Sequence, residues 1–215
     1  MKKLVTLAVA GMAIIILVLA GCGDSNNEVV GKSPSQVDGK GGGGALSVPI
    51  FGQRSDPWKD DKLGTSTIDT IGSKGCAVTS VAMVLKMYGA DVDPRKLNDW
   101  LTANEGYTEQ DLIVWKATDL YPGGVTYTDS VSWQDVYADL AQIDAELDAG
   151  YPVIVETRLD GSQHFVVLKG HEGTTYFMND PWDGTGDVTF NEFARRNDGV
   201  GDPKRWIYGM RKYRP

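Results

Sequence analysis

The sequence predicts an α+β domain, with helices first along the chain and an antiparallel sheet after them. Apolar residues recur at helical spacing through "CAVTSVAMVLKMY", residues 76–88, so that this segment forms a buried helix. After Gly150 the pattern changes to short β-rich segments separated by turn residues, namely "YPVIVETR", "SQHFVVLKG" and "TTYFMND". The change of period at one glycine indicates a helical part followed by a sheet.

The N-terminus has the pattern of a targeting signal. "MKK" is a positive region, "LVTLAVAGMAIIILVL" is apolar, and "LAGC" is a small-residue cleavage site that ends in Cys22. This pattern resembles a bacterial lipoprotein signal peptide, which would make a lipidated Cys22 the first residue of the mature chain. We therefore expect a location outside the cytoplasm, with the lipid holding the protein to a membrane. An uncleaved membrane anchor is the alternative, although the apolar stretch is short for a span.

Three regions follow from this pattern. We assign residues 1–21 to the signal peptide, 22–46 to a flexible tether rich in Gly, Ser and Asn, and 47–215 to one folded domain. Removal of Lys2 and Lys3 leaves 19 of the 21 basic residues against 29 acidic residues, a net charge of −10. Such a chain is not expected to bind nucleic acid or anionic lipid. We expect a monomer.

Capping residues divide the helical part. Gly89 is a stop signal for the buried helix, and "DPRKLNDWLTA" begins a second helix with Asp93 at the N-cap and Pro94 at the first helical position. The segments "TEQDLIVWKATDL", residues 108–120, and "SWQDVYADLAQIDAELDAG", residues 132–150, are predicted as two further helices, the second with room for a break. After the three strands, "FNEFARRN" predicts a short helix and "RWIYGMRKY" a final strand.

Cys76 is the thiol that the fold has to explain. With Cys22 lipidated, no second cysteine is left to form an internal disulfide. Cys76 begins the buried helix, where free N–H groups and the macrodipole stabilise a thiolate. Gly75 has no side chain to block the approach to the sulfur. Cys76 is therefore a packing residue, an intermolecular bridge or a reactive thiol.

A nucleophilic cysteine needs a base, and the chain has two histidines. His171 lies in the turn "KGHEGTT", where we expect exposure to solvent. His164 begins the strand "HFVVLKG" and shares a face with Val166 and Leu168. A histidine packed in the core would also fit that position.

The hairpin after His164 predicts a carboxylate partner for it. If residues 171–173 form a three-residue loop, His164 lies directly opposite Asp180. Directly opposed side chains are close enough for a carboxylate–imidazole hydrogen bond. A two-residue loop would shift the pairing by one position, and Asn179 would then compete on the other face.

Acyl transfer also needs N–H donors directed at the developing oxyanion. The backbone N–H of Cys76 is one candidate, and the side-chain amide of Gln53 in "PIFGQRSDPW" is the other. No cofactor or metal is expected, because "CxxC" and "HExxH" are absent and the aspartates of "NDPWDGTGD" lack EF-hand spacing. Large aromatic residues most often pack, but Trp182 follows Asp180 closely enough to shield it from water.

Together these residues resemble a known family. The order typical of papain-like cysteine peptidases is found in "PIFGQRSDPW", "SKGCAVTSVAMVLKMYG", "GYPVIVET", "GSQHFVVLKGHEG" and "FMNDPWDG". More narrowly, residues 48–210 resemble peptidase family thirty-nine, as a stand-alone domain similar to the bacteriocin-processing double-glycine peptidases. The resemblance implies a papain-like fold in which Cys76 is the nucleophile, His164 the general base, Asp180 the orienting residue and Gln53 the oxyanion donor.

The same resemblance implies a function. It is that of a cysteine peptidase that hydrolyses peptide or peptide-like amide bonds outside the cytoplasm through an acyl-enzyme. The motif "GxxxxGK[ST]" is absent, so the leader peptides cleaved by the exporter type are not carried over as substrates. Two alternatives stay open: a peptidoglycan-directed endopeptidase or amidase, and a non-catalytic module that binds a peptide in the same cleft.

Overall fold

The main sheet of the structure has five strands and is antiparallel. The computed structural model describes residues 44–198 and 200–215. The predicted signal peptide, Cys22 and most of the predicted tether lie outside these residues. Within the described ranges, no helix is both long and apolar enough to cross a membrane.

The helices and strands have the following bounds. The helices are α1 Ile71–Lys74, α2 Cys76–Met87, α3 Pro94–Ala103, α4 Leu140–Asp148, α5 Phe190–Asp198 and α6 Pro203–Trp206. The strands are β1 Tyr107–Thr108, β2 Leu112–Ile113, β3 Thr126–Ser132, β4 Val153–Leu159, β5 Ser162–Glu172, β6 Thr175–Asn179 and β7 Gly209–Arg214. β1 pairs with β2, and the main sheet has the order β3-β7-β4-β5-β6.

Helices cover both faces of this sheet. On one face α2 packs with α3 against Phe165 and Val167 of β5. On the other face α4 and α5 pack against Val166 and Leu168 of the same strand. Successive residues of a strand point to opposite faces, so the alternation predicted for β5 is confirmed. Both faces are apolar because each one forms a hydrophobic core of its own.

The two best-marked helices begin where the sequence predicts. The buried helix α2 spans Cys76–Met87, one residue shorter than predicted. In α3 the Asp93 side chain accepts a hydrogen bond from the Lys96 N–H at 2.8 Å, and Pro94 occupies the first turn. The N-cap prediction is therefore confirmed.

The other two predicted helices of the first half are wrong in part. Residues 108–120 form the β1–β2 hairpin and a 3-10 helix, Trp115–Leu120, because Glu109 and Gln110 take positive φ angles of 48° and 76° that turn the chain. In residues 132–150 only α4 is helical. Residues 133–139 form neither helix nor strand, and Ser132 is the last residue of β3, whose partner is β7 at the other end of the chain. Local propensity did not reveal a strand with so distant a partner.

The β5–β6 hairpin differs from the predicted register. Its turn contains two residues rather than three, since Glu172 pairs with Thr175. This turn shifts the pairing by three positions from the predicted register, and a β-bulge between Leu168 and Gly170 then moves it back by one. The net difference from the prediction is two positions, so His164 does not lie directly opposite Asp180. A shift of two preserves the face, and Asp180 stays on the side of the sheet that His164 occupies.

The N-terminal end of the described chain crosses β5 at this bulge. The Leu46 N–H donates to the Lys169 carbonyl at 2.6 Å, and a side chain added at Gly170 would come within 2.8 Å of the Gly44 carbonyl. Leu46 also packs against the hydrophobic core. The last residues assigned to the tether are thus in contact with the sheet.

His171 is not the exposed loop residue that we expected. Its side chain is 16% exposed and stacks on Tyr176, with 5.6 Å between ring centroids. Nδ1 donates to the Gly173 carbonyl at 2.9 Å, and Nε2 lies 3.2 Å from Asp148 of α4. The shorter turn directs the ring toward α4. Burial opposes protonation, but the bond to Gly173 and the charges of Asp144 and Asp148 raise the pKa of His171.

We predict that replacement of His171 by Gln lowers stability in a pH-dependent way. A raised pKa in the folded state stabilises the fold fully below the unfolded pKa, about 6.5, and this contribution is lost as pH rises through the folded pKa. The variant should lose on the order of 1 kcal/mol at pH 6 and progressively less above it. Urea denaturation between pH 6 and 9 measures this. A difference between the two proteins that grows with pH would contradict the assignment.

Candidate active site

The N-terminus of α2 is held against the start of β5. The Ser80 hydroxyl donates to the Phe165 carbonyl at 3.2 Å, and both residues are buried. Ser80 lies one helical turn after Cys76, and Phe165 directly follows His164. This hydrogen bond therefore brings the sulfur-bearing end of the helix to the strand that carries the imidazole.

His164 and Asp180 form a buried pair. The ring Nε2 lies 2.8 Å from Asp180 Oδ1, and both side chains are almost inaccessible to solvent. The hairpin register, continued by one residue, places Asp180 opposite Val166, so this contact runs diagonally across two strands. The predicted pair therefore exists, although by a different register. Since Asp180 occupies Nε2, Nδ1 is the ring nitrogen that is left for Cys76.

The surroundings favour the protonated imidazole. Burial alone lowers the pKa of His164, but the hydrogen bond with Asp180, the nearby Cys76 sulfur and the negative charge of Asp180 raise it to about 9. The ring thus lies between a carboxylate and a sulfur, each of which stabilises a cation there. This arrangement suits an imidazolium at His164.

A tight turn orients the Asp180 carboxylate. The backbone N–H of Trp182 donates to Asp180 Oδ1 at 2.9 Å, and the N–H of Gly184 donates to the Asp180 carbonyl at 3.0 Å. The segment "DPWDG" is thus a turn, as its composition indicates. Trp182 is partly buried and lines the same cleft as His164.

Gln53 connects the turn at Asp180 with the turn before Cys76. Its backbone N–H donates to the Pro181 carbonyl at 2.7 Å, and its side-chain Nε2 donates to the Gly72 carbonyl at 3.1 Å. The side chain is buried and lines the cleft with Cys76 and His164. An amide nitrogen carries two N–H groups, so one donor remains for a ligand. The structure therefore brings together the four residues that the sequence singled out.

The role of Gly75 differs from the one that we inferred. A Cβ at Gly75 would lie 2.5 Å from the Ile71 carbonyl oxygen and 2.8 Å from the Ile71 Cα. The glycine therefore allows α1 to run directly into α2. Packing of the backbone, rather than access to the sulfur, explains why this position has no side chain.

The cleft around Cys76 has a volume of about 700 Å³. Its walls include residues that sequence reasoning did not assign to the site, namely Ile113, Gln163, Phe165 and Arg211. Trp115 and Trp182 line it, whereas Trp58 and Trp133 pack in the two hydrophobic cores. Arg211 carried no sequence signal, because its place depends on the pairing of β7 with β4.

Within the described part of the chain, no cluster of His, Cys, Asp and Glu could hold a metal ion.

Fold and cleft together define a papain-like peptidase domain. A model described as the Peptidase_C39 like family matches residues 45–202, and the chain belongs to this family. The predicted α+β class and the family resemblance are therefore confirmed. A comparison with curated proteins found no match. The crystal structure of a Bacillus anthracis protein assigned as a C39-like peptidase is similar, with 18% identity and a TM-score of 0.47, over 80% of this chain and 98% of that chain.

We predict that Asp180→Asn lowers the pKa of His164 toward its ordinary value of about 6.5, because the amide keeps a hydrogen-bonding group but removes the charge. Two histidines give two resolvable ring signals in an NMR pH titration. The signal of His171, which has other carboxylate neighbours, is the internal reference and should not move. An unchanged pKa of His164 in the variant would contradict the role given to the carboxylate.

Proposed function

We propose that this protein is a lipid-anchored cysteine peptidase that hydrolyses peptide or peptide-like amide bonds outside the cytoplasm. One observation carries the proposal: the His164 ring is held by Asp180 at 2.8 Å on one nitrogen and lines the cleft together with Cys76 at the head of α2. Membership of the peptidase family supports it. The N-terminal lipoprotein pattern supports the location.

The first half of the reaction forms an acyl-enzyme. The Cys76 thiolate attacks the amide carbonyl carbon, a C–S bond forms, and the carbonyl oxygen becomes an oxyanion. The protonated His164 then gives its proton to the leaving amine nitrogen as the C–N bond breaks. The raised pKa of His164 supports this sequence, because the ring begins the reaction in its protonated form.

The second half restores the enzyme. His164, now neutral, accepts a proton from water, and the oxygen of that water attacks the thioester carbonyl carbon. The C–S bond breaks and regenerates the thiolate beside the imidazolium, and the peptide leaves as a carboxylic acid that releases its proton to water. Asp180 stabilises the imidazolium and holds the ring in place, without itself taking the proton.

Two N–H donors are proposed for the oxyanion. Cys76 is the first residue of α2, so its backbone N–H has no partner within that helix. Gln53 keeps one amide N–H beyond the bond to Gly72. A preorganised donor of this kind contributes about 10²–10³ in kcat. The hydrogen bonds that fix the backbone of Gln53 to Pro181 and its side chain to Gly72 support its assignment as the second donor.

We predict an activated thiol at Cys76. In the full chain with Cys22→Ser, Cys76 is the remaining cysteine, and iodoacetamide should label it at pH 6 at least about tenfold faster than a free thiol. His164→Gln should reduce labelling to the free-thiol rate, because the imidazolium that stabilises the thiolate is gone. Peptide hydrolysis should fall by about 10³-fold or more in this variant and in Cys76→Ala.

The second histidine provides the matched control. His171→Gln makes the same substitution on the same strand, away from the cleft, and should change neither labelling nor hydrolysis. Casein and purified cell wall, digested side by side, distinguish general peptide hydrolysis from a peptidoglycan-directed reaction. Hydrolysis retained by Cys76→Ala, or equal labelling of the wild type and His164→Gln, would overturn the proposed mechanism.

A further inference from the structure

Beside the catalytic cleft lies a cluster of charges that the proposed mechanism does not use. The Glu156 carboxylate, on β4, is buried and accepts hydrogen bonds from side chains of four residues. Oε1 accepts from Gln163 at 2.9 Å and from Arg158 at 3.0 Å, and Gln134 donates to the same oxygen at 2.9 Å. Oε2 accepts from Arg211 at 3.2 Å. One carboxylate therefore forms ion pairs with two guanidinium groups.

The cluster carries an excess positive charge. Burial raises the pKa of Glu156, but the bonds from Gln163, Gln134 and Arg158 and the charge of Arg211 outweigh it, so that the pKa is lowered and the carboxylate stays ionised. Two guanidinium groups against one carboxylate leave a charge of +1. In residues 44–198 and 200–215, neither arginine forms an ion pair with a second carboxylate. A further anion would complete the cluster.

Arg211 is the member of this pair that faces the cleft. It lines the cleft together with Cys76 and His164, whereas Arg158 lies against the ring of Tyr208 at 4.1 Å. The Arg211 side chain is only 14% exposed, so water neutralises little of its charge. Its guanidinium lies 5.1 Å from the centre of the Trp115 ring and 5.6 Å from that of Phe165. The aromatic rings hold the group in place and keep water from it.

The guanidinium also has donors to spare. Arg211 Nη2 donates to Glu156, and Nη1 donates to the Met210 carbonyl at 3.2 Å. A guanidinium has five N–H groups, so some remain for a ligand in the cleft. Guanidinium groups bind carboxylates with charge-assisted hydrogen bonds, which are about twice as strong as neutral ones.

The acidic residues of the cleft do not cancel this charge. Asp111 Oδ2 lies 3.5 Å from Lys74 Nζ, an ion-pair partner that it shares with Asp69. Asp160 is exposed on the turn between β4 and β5, where water solvates its charge. Arg211 is only 14% exposed, so its charge is screened less by water than that of the exposed Asp160 and acts mainly on groups bound inside the cleft.

We propose that Arg211 is a specificity-determining residue that binds a carboxylate of the substrate, with Glu156 and Gln163 as positioning residues behind it. This inference rests on the proposed peptidase function and names the substrate class: peptides with a carboxylate near the scissile amide. The carboxylate belongs either to an Asp or Glu side chain or to the C-terminus of the peptide. Both sources present the same chemistry to the guanidinium.

Matched peptides test the proposal on the full chain with Cys22→Ser. One pair carries Glu or Gln next to the cleaved amide, and a second pair ends in a free or an amidated C-terminus. The acidic member of at least one pair should have a kcat/KM about tenfold higher, mainly through KM, as expected for one charge-assisted hydrogen bond. The pair that shows the difference identifies the source of the carboxylate.

Substitution of Arg211 should remove this preference. In Arg211→Gln the ratio of acidic to neutral substrate should fall to about 1, and in Arg211→Lys it should be intermediate because a point charge remains. Arg214→Gln is the matched control, since Arg214 lies on the same strand, packs on the Tyr151 ring at 3.8 Å and pairs with Glu146 outside the cleft. That variant should keep the ratio of the wild type.

A binding measurement separates failure of this inference from failure of the proposed function. With Cys76→Ala added, fluorescence polarisation of the labelled peptide pairs reports the preference without turnover, and Arg211→Gln should again abolish it. Equal affinity within both pairs, or a preference that survives Arg211→Gln, overturns the role of Arg211 whether or not peptides are cleaved. Preferential binding without cleavage by the active protein keeps the Arg211 site and rejects the peptidase.

Discussion

The contact between α2 and β5 decides whether Cys76 and His164 come together. Cys76 and His164 are far apart in the chain, and the Ser80–Phe165 hydrogen bond ties the helix to the strand one turn from the sulfur. A displacement of the helix by one turn would move the sulfur by about 5.4 Å relative to the imidazole. Because the inner face of α2 is buried against the sheet, such a displacement would also break the core.

The pairing of β5 with β6 determines which side chain holds the imidazole. Asn179 and Asp180 are neighbours in the chain and point to opposite faces of the sheet. Asn179 is used structurally, since its amide donates to the Val48 carbonyl at 3.0 Å and accepts from Lys169 at 2.7 Å. The bulge beside Gly170 restores the parity that the two-residue turn would have changed. A carboxylate, which can stabilise a cation, therefore faces His164.

Around this pair, contacts with neighbouring residues fix the polar groups of the cleft in place. Gln53 is fixed by Pro181 and Gly72, and Arg211 by Glu156 and two aromatic rings. Gly52 and Gly184 allow the chains that carry Gln53 and Asp180 to approach closely, since a Cβ at Gly52 would lie 3.1 Å from the Gly184 Cα. Rigid support of this kind suits groups that must act without rearrangement during a reaction.

The sequence by itself determined the elements whose signals are local. The period of α2, the cap at Asp93 and the alternation along β5 depend on neighbouring residues, and they identified Cys76 and His164 as candidates. Tertiary structure decided what depends on distant partners. β3 exists because β7 pairs with it, Arg211 reaches the cleft because β7 lies beside β4, and Gly75 is required by Ile71 packed against it. The His164–Asp180 pair belongs to both levels: strand alternation limits the choice to one face, but only the turn and the bulge together select the carboxylate on it.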